Sequence, residues 1–250
     1  MKWISKVAAS LLLILPSLSY AANEGGVIQA FTASITPSGD TEYHVTIEIL
    51  AIMTLMAFLP AMLMMLTSFT RIIIVFSILR QALGLQQAPS NQILIGMSMF
   101  LTFFIMQPVF NQVNEVALQP YMNGEMQGAK ALEMASKPFH NFMALNTRES
   151  DINLFMKMSD TPEVSSVEEV PFHVMVPAFV TSELKTAFQI GFMLFVPFLI
   201  IDLVVASILM AMGMMMLSPI IISLPFKIML FVVVDGWAMI MGTLAASYGL

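Results

Sequence analysis

Two charged residues stand inside otherwise apolar stretches, where their chemistry needs a partner. Asp202 lies in "FLIIDLVVA" and Lys227 in "LPFKIMLF". An ionised side chain in such a setting costs at least ~2.5 kcal/mol unless it is paired or hydrated. If the two stretches form a helical hairpin that turns near Met214 and Met215, Asp202 and Lys227 lie about equally far from the turn. We therefore predict that they share a polar network; the alternative is that each faces water or a neighbouring subunit.

The second unusual feature is "ILMAMGMMMLSPI", residues 208–220, which holds five methionines in seven residues. Successive helical residues point about 100° apart, so the adjacent methionines 214–216 cannot all face one core from a helix. Gly213 and Pro219 bound them, which indicates a short loop at the tip of the hairpin. The thioethers could fill a core, or they could project from the loop as flexible, polarizable side chains.

The side chains that usually perform catalysis form no recognisable constellation. The sequence has no P-loop, no GxSxG and no HExxH motif. His44, His140 and His173 are far apart without paired ligand spacing, and the absence of cysteine excludes disulfides and thiolate chemistry. The adjacent Glu168 and Glu169 are typical of solvated charge. We therefore expect no enzyme activity, no metal and no cofactor.

The composition indicates the membrane environment in which these residues must be positioned. Hydrophobic residues make up 58% of the 250-residue chain and charged residues only 10%. Soluble domains carry about 25% charged residues, so the sequence is typical of a membrane protein. A formal net charge of −6 argues against nucleic acid as a partner.

The N-terminal residues resemble a secretory signal. Lys2 and Lys6 precede a short apolar run at 7–15, and "SYA" ends in a small residue suited to cleavage after Ala21. The alternative, a first transmembrane anchor, is disfavoured because the run is too short to span a bilayer. A polar leader follows at residues 22–48, with a short strand predicted at 43–47.

Apolar segments then occur in two pairs, and each pair predicts a helical hairpin. The first hairpin covers residues 49–110 and the second, with the methionine loop, covers 186–246. The individual segments are 49–70, with a kink at Pro60, and then 93–109, 186–212 and 220–246. These lengths predict four crossings of the membrane. Glu183, Lys185 and Asp235 flank the apolar parts and are interpreted as markers of their ends, with Glu183 also a candidate interface residue.

Arg71 and Arg80 give the orientation of the first hairpin. They lie in a stretch, 67–92, that contains no acidic residue, whereas the region 111–185 is acidic. The positive-inside rule places the arginines in the cytoplasm and the acidic region outside. A cleaved signal predicts the same orientation. We expect both arginines to set the orientation of the first span or to bind neighbouring subunits.

The acidic region is predicted to be largely helical. Its pattern favours helices at 128–136 and 148–158, broken near Pro138 and Asn146. Phe139, Phe142 and Met143 could share one helix face. Such a stripe usually packs against other helices, and the alternative is that Phe139 and Phe142 face a lumen.

Four quoted stretches together resemble the FliP family of flagellar type III export-gate proteins. They are "LTSFTRIIIVFSILRQALG", "QQAPSNQILIGMSMFLTFFIMQPVFN", "PFHVMVPAFVTSELKTAFQIGFMLFVPFLIIDLVVASILMAMGMMMLSP" and "LPFKIMLFVVVDGW". The similarity covers about residues 49–111 and 171–237. A signal peptide and a long acidic insert look like the flagellar branch more than the related virulence-injectisome branch.

The resemblance implies a fold and a set of partners. The fold is all-α, with two membrane-type hairpins joined by an extracytoplasmic helical region, in a ring-like helical hetero-oligomer. Several copies would assemble with FliQ-like and FliR-like subunits, and further export-apparatus proteins, around a channel for unfolded flagellar substrates. The complex would lie in the inner membrane and periplasm, as part of the flagellar basal body. Its hairpins would pack on lipid or on other subunits. The resemblance assigns Met214, Met215 and Met216 a gasket role in that channel.

Two other functional classes also agree with the residues alone. A small-ion channel or secondary transporter would have buried charges and broken helices as well. A basal-body assembly factor would support construction without lining a conduit. Ion flux through the purified chain alone indicates the first class, and a trapped substrate that crosslinks to residues 214–216 excludes the second.

Overall fold

A computed structural model describes residues 31–35, 41–45, 47–85, 87–162, 164, 166–214 and 216–249. The predicted signal peptide and Met215 lie outside the described residues. The chain divides into two compact units, Met1–Pro60 and Ala61–Leu250.

In the first unit the polar leader contains a pair of antiparallel strands. Strand β1 is Phe31–Ile35 and strand β2 is Thr41–Val45, with Phe31 opposite Val45 and Ile35 opposite Thr41. The predicted strand at 43–47 is therefore shifted, because helix α1 begins at Ile47. The pair is an addition to the predicted all-α fold; the other regular elements in the described part of the chain are helical.

The prediction that the first apolar segment, 49–70, forms a single helix is wrong. Helix α1, Ile47–Met65, crosses the boundary between the units and contains Pro60, and helix α2 begins after a break, at Phe69–Ala82. The Thr67 hydroxyl accepts a hydrogen bond from the Phe69 amide at 3.4 Å and donates to the Met64 carbonyl at 3.4 Å. Hydroxyl groups that bind the local backbone compete with helical hydrogen bonds, which accounts for the break.

Helix α2 forms a hairpin with helix α3, Asn91–Val113. Gly84 ends α2 with a left-handed φ of 76°, and the amides of Gly84 and Leu85 bond back to the carbonyls of Gln81 and Arg80. This Schellman arrangement needs a residue that tolerates positive φ. A π-helical segment, Asn114–Leu118, and a short helix α4, Gln119–Met122, continue α3.

The acidic region contains helix α5, Gly128–Asn146, and helix α6, Glu149–Met158. The predicted break near Asn146 is present, but the predicted break near Pro138 is wrong because α5 continues through it. Pro138 is buried, and Phe142 and Met143 beyond it are buried as well. Burial of these side chains outweighs the backbone hydrogen bond that a proline removes. A 3-10 turn, Val167–Glu169, leads to the last helices.

Helix α7, Phe172–Ala211, is forty residues long and continues through Pro177 and Pro197. It forms the second hairpin with helix α8, Pro219–Val233, and a sharp bend of 62° separates α8 from helix α9, Gly236–Ala246. The predicted segment 220–246 is therefore not one straight helix. Asp235 at the bend has a left-handed φ of 49°. A Cβ atom at Gly236 would lie 2.3 Å from the Phe231 ring, so a residue without a side chain is required there.

The core of the second unit forms where α2 packs along α7. Ile72, Val75, Phe76 and Leu79 are fully buried, at the three- and four-residue spacing that one helix face requires. Trp237 of α9 adds edge-to-face contacts with Phe76, at 6.1 Å between centroids, and with Phe231, at 5.4 Å.

In the part of the chain that the structure describes, two or three helical segments are long and apolar enough to cross a membrane, compared with the predicted four. Among the described residues, the continuous helix Asn91–Met122 and the helix Phe172–Ala211 are long and apolar enough, and the bent pair α8–α9 is a third candidate if counted as one span. The first apolar segment contributes only a shorter apolar stretch, Ile49–Met62. The break after Met65 and the burial of α2 in the core account for the difference.

Candidate functional site

The methionine loop begins where α7 ends in a Schellman cap. The Gly213 amide donates to the Met210 carbonyl at 3.0 Å, and the Met214 amide donates to the Leu209 carbonyl at 3.0 Å. Gly213 has a φ of 75°, a conformation that glycine adopts without a steric cost. The chain then leaves the helix axis and re-enters a helix at Pro219, whose fixed φ suits a helical first position.

The loop methionines do not fill the core of this chain. Met216 is fully exposed, and Met214 and Met212 are 42% and 60% exposed. Core methionines in the same chain, such as Met106 and Met143, have no exposure. The core-filling alternative therefore does not describe Met214 or Met216 in the single chain.

The structure brings Asp202 and Lys227 together within one chain. The Lys227 ammonium donates to Asp202 Oδ2 at 2.6 Å, and Ser223 Oγ donates to Asp202 Oδ1 at 2.5 Å. Lys227 also donates to the Ala82 carbonyl, at 3.1 Å, at the end of α2. Lys227 is buried and the Asp202 side chain is 29% exposed. These contacts hold α7, α8 and the end of α2 together below the methionine loop.

A second buried network joins Arg71 of α2 to Glu183 of α7. Arg71 Nε donates to Glu183 Oε2 at 2.9 Å, and the second guanidinium nitrogen, Nη2, donates to Glu183 Oε1. Arg71 Nη1 donates to Ser247 Oγ at 2.9 Å. The Tyr248 hydroxyl donates to Glu183 Oε2 at 2.5 Å, and the guanidinium carbon lies 3.9 Å from the Tyr248 ring centroid. A bidentate pair with a cation–π contact satisfies both charges.

This network changes the interpretation of two predicted residues. Glu183 does not mark the end of an apolar segment, because it lies inside α7 and is fully buried. Arg71 has an acidic partner in its own chain and is buried, so its side chain is not free to bind a neighbouring subunit. Arg80 differs: it donates to Asn91 Oδ1 at 2.6 Å and to the Pro89 carbonyl at 3.3 Å, across the α2–α3 turn.

The aromatic residues of α5 take part in packing within the chain. Phe142 is 9% exposed, stacks on Tyr248 at 5.8 Å between ring centroids, and meets Phe179 edge-on at 5.9 Å. Phe139 is half-buried and contacts Phe110 at 6.3 Å. These contacts correct the lumen-facing alternative for Phe142, since its ring is covered.

Asp151 of α6 joins the acidic region to α7. Its carboxylate accepts a hydrogen bond from Ser182 Oγ at 2.7 Å and forms an ion pair with Lys185, and the carboxylate itself is buried. Burial alone would raise the pKa of Asp151. Hydrogen bonds from Lys185 and Ser182, with the positive charges of Lys185 and Arg148, outweigh it and hold the pKa below its usual value.

Sequence reasoning missed the Arg71–Glu183 pair and Asp151. The one available signal for the pair was that Arg71 and Glu183 carry opposite charges at the edges of apolar segments. Nothing in the local sequence distinguishes Asp151 from the exposed acids around it. Within the described parts of the chain, no group of three His, Cys, Asp or Glu side chains could hold a metal ion.

The comparisons with known proteins agree in pointing to one family. Residues 52–244 match the model of the FliP family. The chain is 51% identical to the flagellar biosynthetic protein FliP of Pectobacterium carotovorum subsp. carotovorum, over 97% of this chain and 92% of that protein. It is 53% identical to FliP of Cereibacter sphaeroides, over 84% and 70%, and 51% identical to FliP of Bacillus subtilis (strain 168), over 81% and 92%.

Proposed function

Because the chain belongs to the FliP family, we propose that it is a core subunit of the flagellar type III protein export gate. In this proposal several copies assemble with FliQ-like and FliR-like subunits around a channel for unfolded flagellar proteins. The gate lies at the inner membrane within the flagellar basal body, with a large periplasmic part.

The observation that carries the proposal is the exposed methionine loop at the tip of a fixed hairpin. Met214 and Met216 project from a turn whose position is set by the Schellman cap and by the Asp202–Lys227 pair beneath it. Thioether side chains are unbranched and polarizable, so they repack around partners of varied shape. Loops repeated around a ring would form a flexible collar that closes against itself and opens around a passing chain.

Exposed apolar side chains on the second hairpin support assembly with other subunits or lipid. Met193 on α7 is 75% exposed, and Val233 on α8 is 77% exposed. Apolar surface of this kind needs a protein or lipid partner. Asp202 and Lys227, in contrast, are satisfied inside the chain, so the outer faces of the hairpin can remain apolar.

The proposal is tested by photo-crosslinking in assembled complexes that carry a stalled export substrate. A photoreactive amino acid at position 216 should crosslink to the substrate, because the loop would line the conduit. The matched control places the same amino acid at Val233, an exposed position on the outer part of the hairpin, where crosslinks should go to lipid or other subunits.

Substrate crosslinks absent from position 216, or equally strong at position 233, would contradict the channel-lining role. Ion flux through the purified chain alone would instead support a small-ion channel. Normal basal-body assembly without any substrate contact would support a non-conducting assembly factor.

A further inference from the structure

The methionine loop has a donor set that suits one class of metal ion. Met212, Met214 and Met216 alternate along the chain beyond the end of α7; Met212 is 60% exposed, Met214 is 42% exposed and Met216 is fully exposed. We propose that this loop binds a soft monovalent cation, Cu(I) or its redox-stable analogue Ag(I), through neutral thioether sulfurs. Soft thioether ligands select Cu(I) over harder ions.

The sequence on both sides of the loop lacks the ligands that other metals prefer. Between Asp202 and Lys227 the sequence contains no Asp, Glu, His or Cys, so the loop presents neither carboxylate, imidazole nor thiolate. Mg²⁺ and Ca²⁺ require oxygen ligands, and Zn²⁺ requires nitrogen, thiolate or carboxylate ligands. The thioethers are therefore left without competition for a soft cation.

The backbone conformation at Gly213 leaves room for the exposed side chains beside it to reorient. The Schellman cap reverses the chain at Gly213, so that Met212 and Met214 stand on either side of a bend. A Cβ atom at Gly213 would meet no atom within 4 Å, which leaves open space around the bend. Each methionine has three rotatable side-chain bonds, so the exposed sulfurs can turn toward one ion without moving a helix.

Binding would be a simple coordination step. Neutral thioethers replace water on the cation, no proton is released and no electron is transferred, so the occupied loop gains one positive charge. The inference concerns the loop of a single chain and does not depend on the proposed export function. In a ring of such loops, the cation would also link neighbouring thioethers and hold the collar closed.

The test is a titration of the detergent-purified full-length protein with silver nitrate in chloride-free buffer. Calorimetry measures affinity, and the NMR signals of ¹³C-methyl-labelled methionines report which side chains respond. Ag(I) should shift the signals of the loop methionines and leave those of the buried Met106 and Met143 unchanged. Zinc acetate should produce no such shift.

The diagnostic variant replaces Met212, Met214 and Met216 with leucine, which keeps the apolar bulk and removes the sulfur. Loss of three donors should weaken Ag(I) binding by at least about tenfold. The matched control replaces three other methionines with leucine: Met193, Met229 and Met239. They are also exposed but lie on regular helices, so this variant should bind Ag(I) as tightly as the wild type.

Equal affinity in the wild type and the loop variant, or an equal loss in the control variant, would overturn the inference. The same leucine variant separates this inference from the gasket. Leucine retains a bulky apolar collar, so a variant that seals the gate but no longer binds Ag(I) supports both proposals. One that seals the gate and still binds Ag(I) contradicts the metal site alone.

Discussion

Arg71 and Glu183, 112 positions apart in the chain, form an ion pair that is buried on both sides. The pair joins α2 to α7, and both side chains are buried. Ser247 and Tyr248 close over it from the C-terminal end of the chain. Three distant segments therefore depend on one pair of charges.

Replacing Arg71 with leucine should be severely destabilising because it leaves Glu183 buried without a positive partner. The expected cost is about 3–5 kcal/mol. The double variant Arg71→Leu and Glu183→Leu should recover much of this loss, since no charge remains buried. Thermal unfolding in detergent and the yield of folded protein measure both effects.

Arg80→Gln provides the control for the first prediction. Arg80 bonds to neutral partners in a partly exposed turn, so its loss should cost no more than about 1 kcal/mol. A loss at Arg80 equal to that at Arg71 would contradict the assignment of Arg71 as the structural arginine.

Replacing Asp202 with alanine should lower the yield of the assembled complex, because Lys227 is then left buried with its hydrogen bond to the Ala82 carbonyl but without a negative partner. The expected loss in the free energy of unfolding is at most about 3 kcal/mol, because the Asp202 side chain is partly exposed. The double variant Asp202→Leu and Lys227→Met should restore the yield. If the double variant assembles no better than Asp202→Ala, the pair is not the reason for the defect.

Replacing Met214, Met215 and Met216 together with alanine should leave assembly nearly normal, since alanine suits a helix end and Gly213 and Pro219 are retained. The collar should lose contacts in every copy and leak ions or small solutes at rest. Membrane leak and complex yield are measured together. A gate that stays tight without these methionines would defeat the gasket hypothesis.

Acid should weaken the contact between α6 and α7 through Asp151. The folded-state pKa of this carboxyl is lowered, so its stabilisation is present above the unfolded pKa of about 3.9 and is lost as pH falls through the lower folded value. Thermal unfolding of wild type and Asp151→Asn should therefore differ at pH 7, and the difference should begin to shrink below about pH 4 and vanish once the pH is below the lower folded value. Glu133→Gln, at the exposed Lys130–Glu133 pair, is the control and should have little effect at either pH.

Gly191→Ala should separate α2 from α7. A Cβ atom at position 191 would lie 2.3 Å from Ile78 Cδ1 and 3.0 Å from its Cγ2. Overpacking of this kind costs about 1–3 kcal/mol. Adding Ile78→Ala removes the two closest carbons, leaves only Ile78 Cβ at 3.2 Å, and should recover most of the stability in the same thermal unfolding assay. Without any recovery, the close approach of the two helices would not be the cause.

The local sequence pattern predicts the Asp202–Lys227 pair but not the Arg71–Glu183 pair. Equal spacing of Asp202 and Lys227 from a glycine-bounded turn fixes their relative height, because a tight hairpin has one register. Arg71 and Glu183 have no such relation. Which of their helix faces meet is decided by the packing of whole helices, and helices α3 to α6 lie between them in the chain.

Hydropathy also does not predict where the helices break. Apolar residues continue across each break, whereas the breaks at residues 66–68 and at Asp235 depend on hydroxyl hydrogen bonds and on one left-handed residue. Pro138 shows the opposite case: its local signal favours a break, but the buried side chains beyond it keep the helix continuous.

The four charged residues that are buried in the described parts of the chain, Arg71, Asp151, Glu183 and Lys227, all have their partners in the same chain. In a single copy outside any complex, none of these four charges is therefore left without a partner. In the proposed assembly, contacts between subunits would then be made by exposed apolar side chains. Such contacts respond little to ionic strength. We expect high salt to leave the assembled complex intact, and harsher detergents to release its subunits while they are still folded.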